Sequence, residues 1–269
     1  MRKAFLVWGV IFTAAALVCL AVGCGKEARD DARDLVDAAS AAVEAGSAHL
    51  QLNAELTPLE GEGGLAVSVQ GDAWLGLEPT LVEARLTALG LEISARYVEQ
   101  ALYIQMGGTW YRVPPGTLEG FDQGTVQALV EVVRALPDIL SASREVVPLG
   151  EKKVGERACR RLGVELDLAA AASLEPVRRL AEAMQVPVGE AVAYLDGADL
   201  ELEVCLEEKK PVIREIFLAL DVDLTSLPDI AGLPLLPERA RLKVFLQFPE
   251  YGMEVEVQPP SESVPFTGF

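Results

Sequence analysis

The sequence predicts an α+β fold in which one antiparallel sheet carries helices on one of its faces. Over most of the chain, apolar residues alternate with polar residues, which is typical of half-buried strands. A few segments instead repeat apolar residues every three to four positions, as amphipathic helices do. Because the strands follow one another through short turns and the helices are grouped, the order favours helices segregated to one face.

Helical periodicity is found in four segments. Gly46 follows the first and is a good C-terminal stop. Pro137 lies inside the second, and we expect it to break that segment into two pieces. Pro176 is near the start of the third, where proline is tolerated. The segments are residues 28–45, 125–144, 173–184 and 189–195.

Alternating segments separated by turn residues predict the strands. In the first, His49 and Gln51 lie on the polar side. Gly71 predicts a bulge or bend beside the second. Prolines between residues 226 and 238 indicate a loop, and the Pro/Ser-rich tail is expected to be loose. The predicted strands are residues 48–56, 65–70, 81–86, 91–98, 101–105, 110–113, 145–149, 156–168, 200–206, 212–220, 239–248 and 253–257.

The N-terminal segment has the three parts of an export signal. Arg2 and Lys3 precede an apolar run over residues 4–20, and small residues lead to Cys24. The Ala21-Val22-Gly23-Cys24 ending resembles a bacterial lipoprotein signal, in which the peptide is cut before the cysteine and its thiol receives diacylglycerol. The alternatives are an uncleaved membrane helix and an ordinary secretory signal. Lipidation predicts stable membrane anchoring, since about two acyl chains suffice for it.

The charge balance excludes one class of partner. Removal of Arg2 and Lys3 with the signal would change the formal net charge from −18 to −20. Phosphate backbones are bound by Lys and Arg clusters, so nucleic acid is not an expected partner. An anionic bilayer would also repel this chain, so the acyl chains must supply the anchoring.

Cys159 and Cys205 are the cysteines that remain after the signal and Cys24 are set aside. Each alternates with the apolar residues of its strand and therefore projects from the polar face. If the two strands pair, the sulfurs can meet across the ladder. We predict a disulfide in an oxidising compartment. It would close a loop of some 45 residues and contribute about 3–4 kcal/mol of stability.

Catalytic and metal-binding patterns are scarce. His49 is the sole histidine and lies on the polar side of a strand, so a catalytic triad has no other base to use. One histidine without a Cys-x-x-Cys pair does not predict a zinc site. Phosphate-binding glycine motifs do not follow any strand. We therefore expect neither an enzyme nor a bound cofactor or metal, although carboxylates in a cleft would offer an acid–base pair.

The layout resembles the LppX/LprG-type lipoproteins and, more broadly, the LolA/LolB-like carrier fold. The resemblance depends on four short segments besides the cysteine signal. They are Ser47–Leu52, Leu102–Tyr111 with its Gly107-Gly108 turn, Gly155–Cys159 and Phe248–Val255. It implies a strongly curved antiparallel sheet, a half-open β-barrel, that wraps helices on its concave face. It also implies an apolar cavity for acyl chains, although relatives exist that sense the envelope state instead.

These inferences combine into one functional prediction. The chain is expected to be an extracytoplasmic, palmitate-bearing lipoprotein, monomeric, that binds a lipid or another hydrophobic ligand. The alternative is an envelope sensor or scaffold that binds a protein, because periodicity cannot separate a cavity from a filled core. The expected divisions are a signal at 1–23, a tether at 24–27, a lipid-binding domain at 28–258 and a tail at 259–269. The predicted cavity residues are Leu50, Leu52, Leu102, Ile104, Val164, Leu166, Leu202 and Val204.

Overall fold

The computed structural model describes residues 26–115, 122–196, 200–208, 210, 212–224 and 237–267. This part of the chain has the predicted α+β composition, with one large sheet and six helices. The helices are α1 (Lys26–Glu44), α2 (Gln123–Arg134), α3 (Leu136–Ser141), α4 (Leu168–Ala172), α5 (Glu175–Ala183) and α6 (Val188–Asp196). The strands are β1 (Ser47–Pro58), β2 (Val67–Gly76), β3 (Leu81–Ala88), β4 (Leu91–Val98), β5 (Ala101–Met106), β6 (Thr109–Val113), β7 (Ser143–Val154), β8 (Arg157–Leu166), β9 (Glu201–Glu207), β10 (Ile213–Asp223), β11 (Arg239–Tyr251) and β12 (Val264–Pro265).

Two meanders make up the sheet. Its strand order is β12-β6-β5-β4-β3-β2-β1-β11-β10-β9-β8-β7. Strands β1 to β6 are neighbours in chain order, strands β7 to β11 likewise, and the pairing of β1 with β11 joins the two sets. Within the described strands, β7 and β12 stand at opposite edges, so the sheet does not close into a barrel.

One strand pair departs from the predicted antiparallel arrangement. Val264 and Pro265 of β12 pair in parallel with Tyr111 and Arg112 of β6, which makes the sheet mixed. Phe266 follows and is buried against an edge of the Tyr111 ring, 5.9 Å between centroids. Burial of this aromatic ring explains why the tail, expected to be loose over 259–269, is attached to the sheet near its end.

The inner face of the sheet carries the core. Large aliphatic residues of β8, β9, β10 and β11 pack with the apolar faces of α1, α3, α4 and α5 in one cluster. In α1 the predicted stripe faces inward, and Leu35 and Ala39 are fully buried. As predicted, Pro137 separates two helices, since it occupies the first turn of α3 directly after α2.

Helix α1 crosses several strands rather than running along one. Arg160 of β8 pairs with Asp31 and with Asp34 (2.6 Å) in the N-terminal part of α1. At its other end α1 leads directly into β1 through Gly46. Strands β8 and β1 are four positions apart in the sheet, about 19 Å at the usual spacing. The ten or so helical residues after Asp34 span a similar length, so one helix bridges both meanders.

Gly71 does not cause the predicted bulge. The register of β2 with β1 and β3 is unbroken on both sides of it. A Cβ at this position would overlap the Arg85 carbonyl oxygen and the Leu86 side chain of β3. Glycine is needed here because the neighbouring strand approaches closely, which is its other use within a strand.

Two further segments differ from the sequence prediction. Residues 253–257 make no ladder, because they run over the outer face of the sheet, where Val257 packs with Ala101 and Tyr103. A side chain holds this segment in place, since the Ser47 hydroxyl donates to the Met253 carbonyl (2.6 Å). Helix α4 begins at Leu168, the last residue of the predicted strand 156–168, and its N-cap is Asp167, whose carboxylate accepts from the Ala170 amide.

Candidate ligand-binding site

An apolar cavity of about 240 Å³ lies between the sheet and the helices. Its sheet side is formed by inner-face residues of β1 to β5, β10 and β11. Its helix side is formed by the C-terminal end of α1, by α2 and by the start of α3. The lining is almost entirely aliphatic, with two tyrosine and one phenylalanine rings, so the site suits a ligand without polar groups.

Three alanines in register form the floor of this cavity. Ala73 of β2 is opposite Ala84 of β3, which is opposite Ala95 of β4. Leu50 of β1 and Ile104 of β5 close the two ends of this row. Each alanine leaves unfilled the volume that a larger aliphatic residue would occupy at the same inner-face strand position. The hollow is therefore built by small residues aligned across three strands.

Helix α2 faces this row. Asp122 caps it, with its carboxylate accepting from the amides of Gly124 (2.8 Å) and Thr125 (3.1 Å). Val126 and Val133 of its apolar stripe line the cavity. These two residues are about two turns apart on the same side of the helix, so α2 presents an apolar face to the alanine row.

The two tyrosine hydroxyls beside the cavity already have partners. The Tyr97 hydroxyl accepts from Gln127 Nε2 (2.7 Å), and the Tyr251 hydroxyl donates to the Ile213 carbonyl (2.7 Å). Burial raises the pKa of Tyr251 above its ordinary value, against the smaller opposing effect of the Arg214 charge, so the phenol stays neutral. Arg96 is the charged residue of the lining.

The Arg96 guanidinium is engaged away from the cavity. It donates to Glu83 (3.3 Å) and lies over the Trp110 ring, 4.8 Å from the centroid. Glu83 and Trp110 alternate with inner-face residues of β3 and β6, so they belong to the outer face of the sheet. No charge of the described lining is thus directed at a ligand.

The predicted cavity residues divide between two places. Leu50, Leu102 and Ile104 line the cavity. The other five pack in the main core, where α1, α3, α4 and α5 cover that part of the sheet. Those five are Leu52, Val164, Leu166, Leu202 and Val204.

Sequence reasoning missed the alanine row and the role of α2. Alternation identifies β2, β3 and β4 as strands, but it does not give the register that aligns Ala73, Ala84 and Ala95. Turn lengths offer a signal for it, since a two-residue hairpin turn fixes the register of the strands that it joins. Leu89-Gly90 is such a turn between β3 and β4.

Cys159 and Cys205 form the predicted disulfide between β8 and β9, with 5.6 Å between their Cα atoms. They lie on the outer face, as their alternation with apolar residues predicted. Both are nevertheless buried. Lys152 of β7 is opposite Cys159, Glu215 of β10 is opposite Cys205, and these two charged side chains form an ion pair. The pair crosses the two intervening strands and covers the disulfide.

His49 takes part in an outer-face cluster. Its ring stacks on Trp74 (4.9 Å between centroids), and its Nε2 is 2.9 Å from an Asp72 oxygen. Within the described residues, no group of three or more His, Cys, Asp and Glu side chains is placed to hold a metal ion.

Cys24 and the signal segment 1–23 lie outside the described residues. Among the helices that the structure does describe, none has both the length and the apolar character required to cross a bilayer.

Neither a protein-family model nor a curated protein matches this chain. Solved structures do match it. Lipoprotein LppX of Mycobacterium tuberculosis is 10% identical with a TM-score of 0.46, over 83% of this chain and 98% of that chain. LprF of Mycobacterium bovis is 13% identical with a TM-score of 0.47, over 87% and 98%. MucB of Pseudomonas aeruginosa, in complex with MucA, is 11% identical with a TM-score of 0.32, over 82% and 55%.

The matches also include an outer membrane lipoprotein-sorting protein domain. The matches therefore include an LppX lipoprotein and a lipoprotein-sorting domain, the kinds of protein that the sequence resembles. Because the TM-scores are below 0.5, neither a ligand nor a partner of this chain follows from them.

Proposed function

We propose that this chain is an envelope lipoprotein that binds one acyl chain of a lipid in the cavity between β1–β5 and α2. The observation that supports this most is the row of Ala73, Ala84 and Ala95 beneath an apolar helix face. The two tyrosine hydroxyls beside the cavity are already paired and the Arg96 guanidinium is engaged with Glu83 and Trp110, so we expect the affinity to come from burial of hydrocarbon.

The volume limits the size of the buried group. About 240 Å³ has room for about eight groups the size of a water molecule or a methylene. At roughly 0.8 kcal/mol for each buried methylene, such a chain gains about 6 kcal/mol before the cost of association. Because association itself costs free energy, we expect a single medium-length acyl segment to bind with a Kd no tighter than about 10 μM.

The proposal includes an anchor and a curved sheet. Acyl chains on Cys24 would hold the mature chain on the extracytoplasmic side of a membrane, with α1 beginning two residues later. A half-open barrel with α1 and α2 in its concavity would explain why helices pack on one face of so wide a sheet. Leu52, Val164, Leu166, Leu202 and Val204 would then support this site from the core, and Leu50, Leu102 and Ile104 would contact the ligand.

Displacement of a fluorescent fatty acid by unlabelled fatty acids of increasing length tests the proposal. We expect affinity to increase with each methylene up to about eight and then to level off. Ala84→Leu, which fills the floor, should weaken binding at least tenfold. Ala158→Leu, at an exposed position of β8, is the matched control and should leave it unchanged.

Equal binding by Ala84→Leu and the unsubstituted chain would contradict the site. Protein purified from its own host without any lipid, but with a bound envelope protein, would favour the sensor or scaffold function instead.

A further inference from the structure

Three exposed leucines lie at one end of the sheet in the β1–β6 meander. Leu89 is 73% exposed, Leu91 is 66% and Leu65 is 55%. Leu89 lies in the β3–β4 turn, Leu91 is the first residue of β4, and Leu65 lies two residues before β2 begins. The start of β2 and the end of β3 share this end of the sheet, since Val69 is opposite Ala88. We call these three residues the leucine tip.

The backbone at Leu89 makes its exposure more unusual. Leu89 and Gly90 have φ of +52° and +75°, the pattern of a two-residue type I′ hairpin turn. Such turns favour Asn, Asp or Gly at the first position, because other side chains are strained at positive φ. The β4–β5 turn of the same kind carries the polar pair Glu99 and Gln100. Neither the turn conformation nor burial explains why residue 89 is a leucine, so we looked to a contact outside the chain for the explanation.

The leucine tip is continuous with the cavity. Leu86 and Ile93, opposite each other on β3 and β4, line the cavity and lie within three residues of the turn. Leu91 shares the inner face with Ile93 by strand alternation. An apolar surface that contacts the leucine tip therefore also contacts the β3–β4 hairpin, whose inner face lines the cavity.

The charges nearby favour a neutral surface. Glu92 follows Leu91, and Glu60 and Glu62 precede Leu65 in the β1–β2 connection. These carboxylates would repel anionic lipid headgroups. A protein partner is a poorer fit, since stable protein interfaces bury about 1,200–2,000 Å² and three leucine side chains supply a small fraction of that. Side chains of this kind insert readily into the apolar boundary of a bilayer.

We propose that the leucine tip inserts into the interface of a neutral lipid bilayer. This surface goes beyond the acyl-chain site, because it docks on the lipid phase and needs no ligand in the cavity. It places the β3–β4 hairpin, and with it one wall of the cavity, against hydrocarbon.

Flotation of the chain from Gly25 onward with phosphatidylcholine vesicles tests this, since that chain holds every described helix and strand. We expect it to bind the vesicles without dependence on salt, and less well when phosphatidylglycerol is added. Leu89→Asn should weaken partitioning about tenfold, and Leu89→Asn with Leu91→Asn about a hundredfold. Leu149→Asn, at an exposed leucine on edge strand β7, is the matched control and should bind as the unsubstituted chain does.

Leu89→Asn separates docking from misfolding. Asparagine suits the positive φ, so its melting temperature should equal or exceed that of the unsubstituted chain. Failure of the unsubstituted chain to float, equal flotation of the double variant, or stronger binding to anionic vesicles would each overturn the proposal. Fatty-acid displacement without vesicles reports on the cavity separately, so either inference can fail alone.

Discussion

Two regions of one sheet use the same alternation of apolar residues with opposite results. In the filled region, β8–β11 with α1, α3, α4 and α5, the row Leu202, Leu218 and Val244 carries large side chains on three neighbouring strands. In the cavity region, β1–β5 with α2, the corresponding row is Ala73, Ala84 and Ala95. Apolar character is shared, so the size of aligned side chains decides whether a hollow forms.

The number of helices adds to this difference. Helices α1, α3, α4 and α5 pack on the filled region together with one side of α2, while α2 is the main helix across the alanine row. A sheet face with small residues, crossed by α2 and reached only by the ends of α1 and α3, packs less densely than the other region. The sizes of side chains that lie opposite one another on neighbouring strands can thus locate a pocket. Hydrophobicity alone does not distinguish a pocket from a filled core.

The largest expected effect is on the filled region, through its disulfide. The bond between Cys159 and Cys205 closes a loop with a sequence separation of 46. Cys159→Ser with Cys205→Ser should lower the free energy of unfolding by about 4 kcal/mol, measured by urea denaturation. Fatty-acid binding at low temperature should persist, since the disulfide does not border the cavity. A loss below about 1 kcal/mol would show that the filled region does not depend on the cross-link.

Truncation of one leucine in each region compares their packing directly. Leu162→Ala should cost about 3–4 kcal/mol in urea unfolding, because it removes contacts on all sides of a fully buried side chain. Leu50→Ala should cost about 1–2 kcal/mol, since Leu50 already faces the hollow. Equal losses at the two sites would mean that the cavity region is packed as tightly as the filled one.

Replacement of an alanine by leucine should also destabilise the filled region more than the cavity region. Ala240→Leu, at a fully buried position of β11, should destabilise the fold by about 2 kcal/mol through overpacking. Ala84→Leu should change the unfolding free energy by less than about 1 kcal/mol, because the cavity accepts the added atoms. Thermal melts of the two variants, with Ala158→Leu as the surface control, measure this. A strongly destabilised Ala84→Leu would contradict the assigned floor.

The smallest effect concerns the charged outer face of the filled region. Burial would raise the pKa of Glu207, but hydrogen bonds and charge from Arg214 and Arg157 outweigh it and lower the pKa below 4.5. A lowered folded pKa contributes stability that is present at neutral pH and is lost as pH falls through that pKa. Glu207→Gln should cost about 1–2 kcal/mol at pH 7. This difference should disappear in urea titrations carried out below the lowered pKa, and one that persists there would exclude the charge as its cause.

Much of the fold was predictable because its signals are local. Alternation gave most strands, Pro137 gave the boundary between α2 and α3, and the polar-face positions of Cys159 and Cys205 gave their pairing. The strand predicted for residues 253–257 was wrong, because a segment with alternating apolar residues can pack on the outer face of a sheet without joining its ladder.

The cavity was less accessible to sequence reasoning. Three of eight predicted residues line it, since apolar alternation is identical for a core and a hollow. Leu50 lines the cavity and Val204 lies in the core because different helices cover them, and the position of those helices depends on long-range packing. The disulfide was expected at the surface, and its cover by Lys152 and Glu215 depends on a contact across two intervening strands.

Helix α2 would determine the size of the ligand under the proposed function. Near its middle, Gln127 donates to the hydroxyl of Tyr97, and at its last residue Arg134 donates to the carbonyl of Leu77. The opposite wall is a hydrogen-bonded ladder, which cannot yield without breaking strand pairs. Under the proposed function, an acyl chain longer than this cavity would require outward movement of α2, and the polar contacts of Gln127 and Arg134 would then limit ligand length.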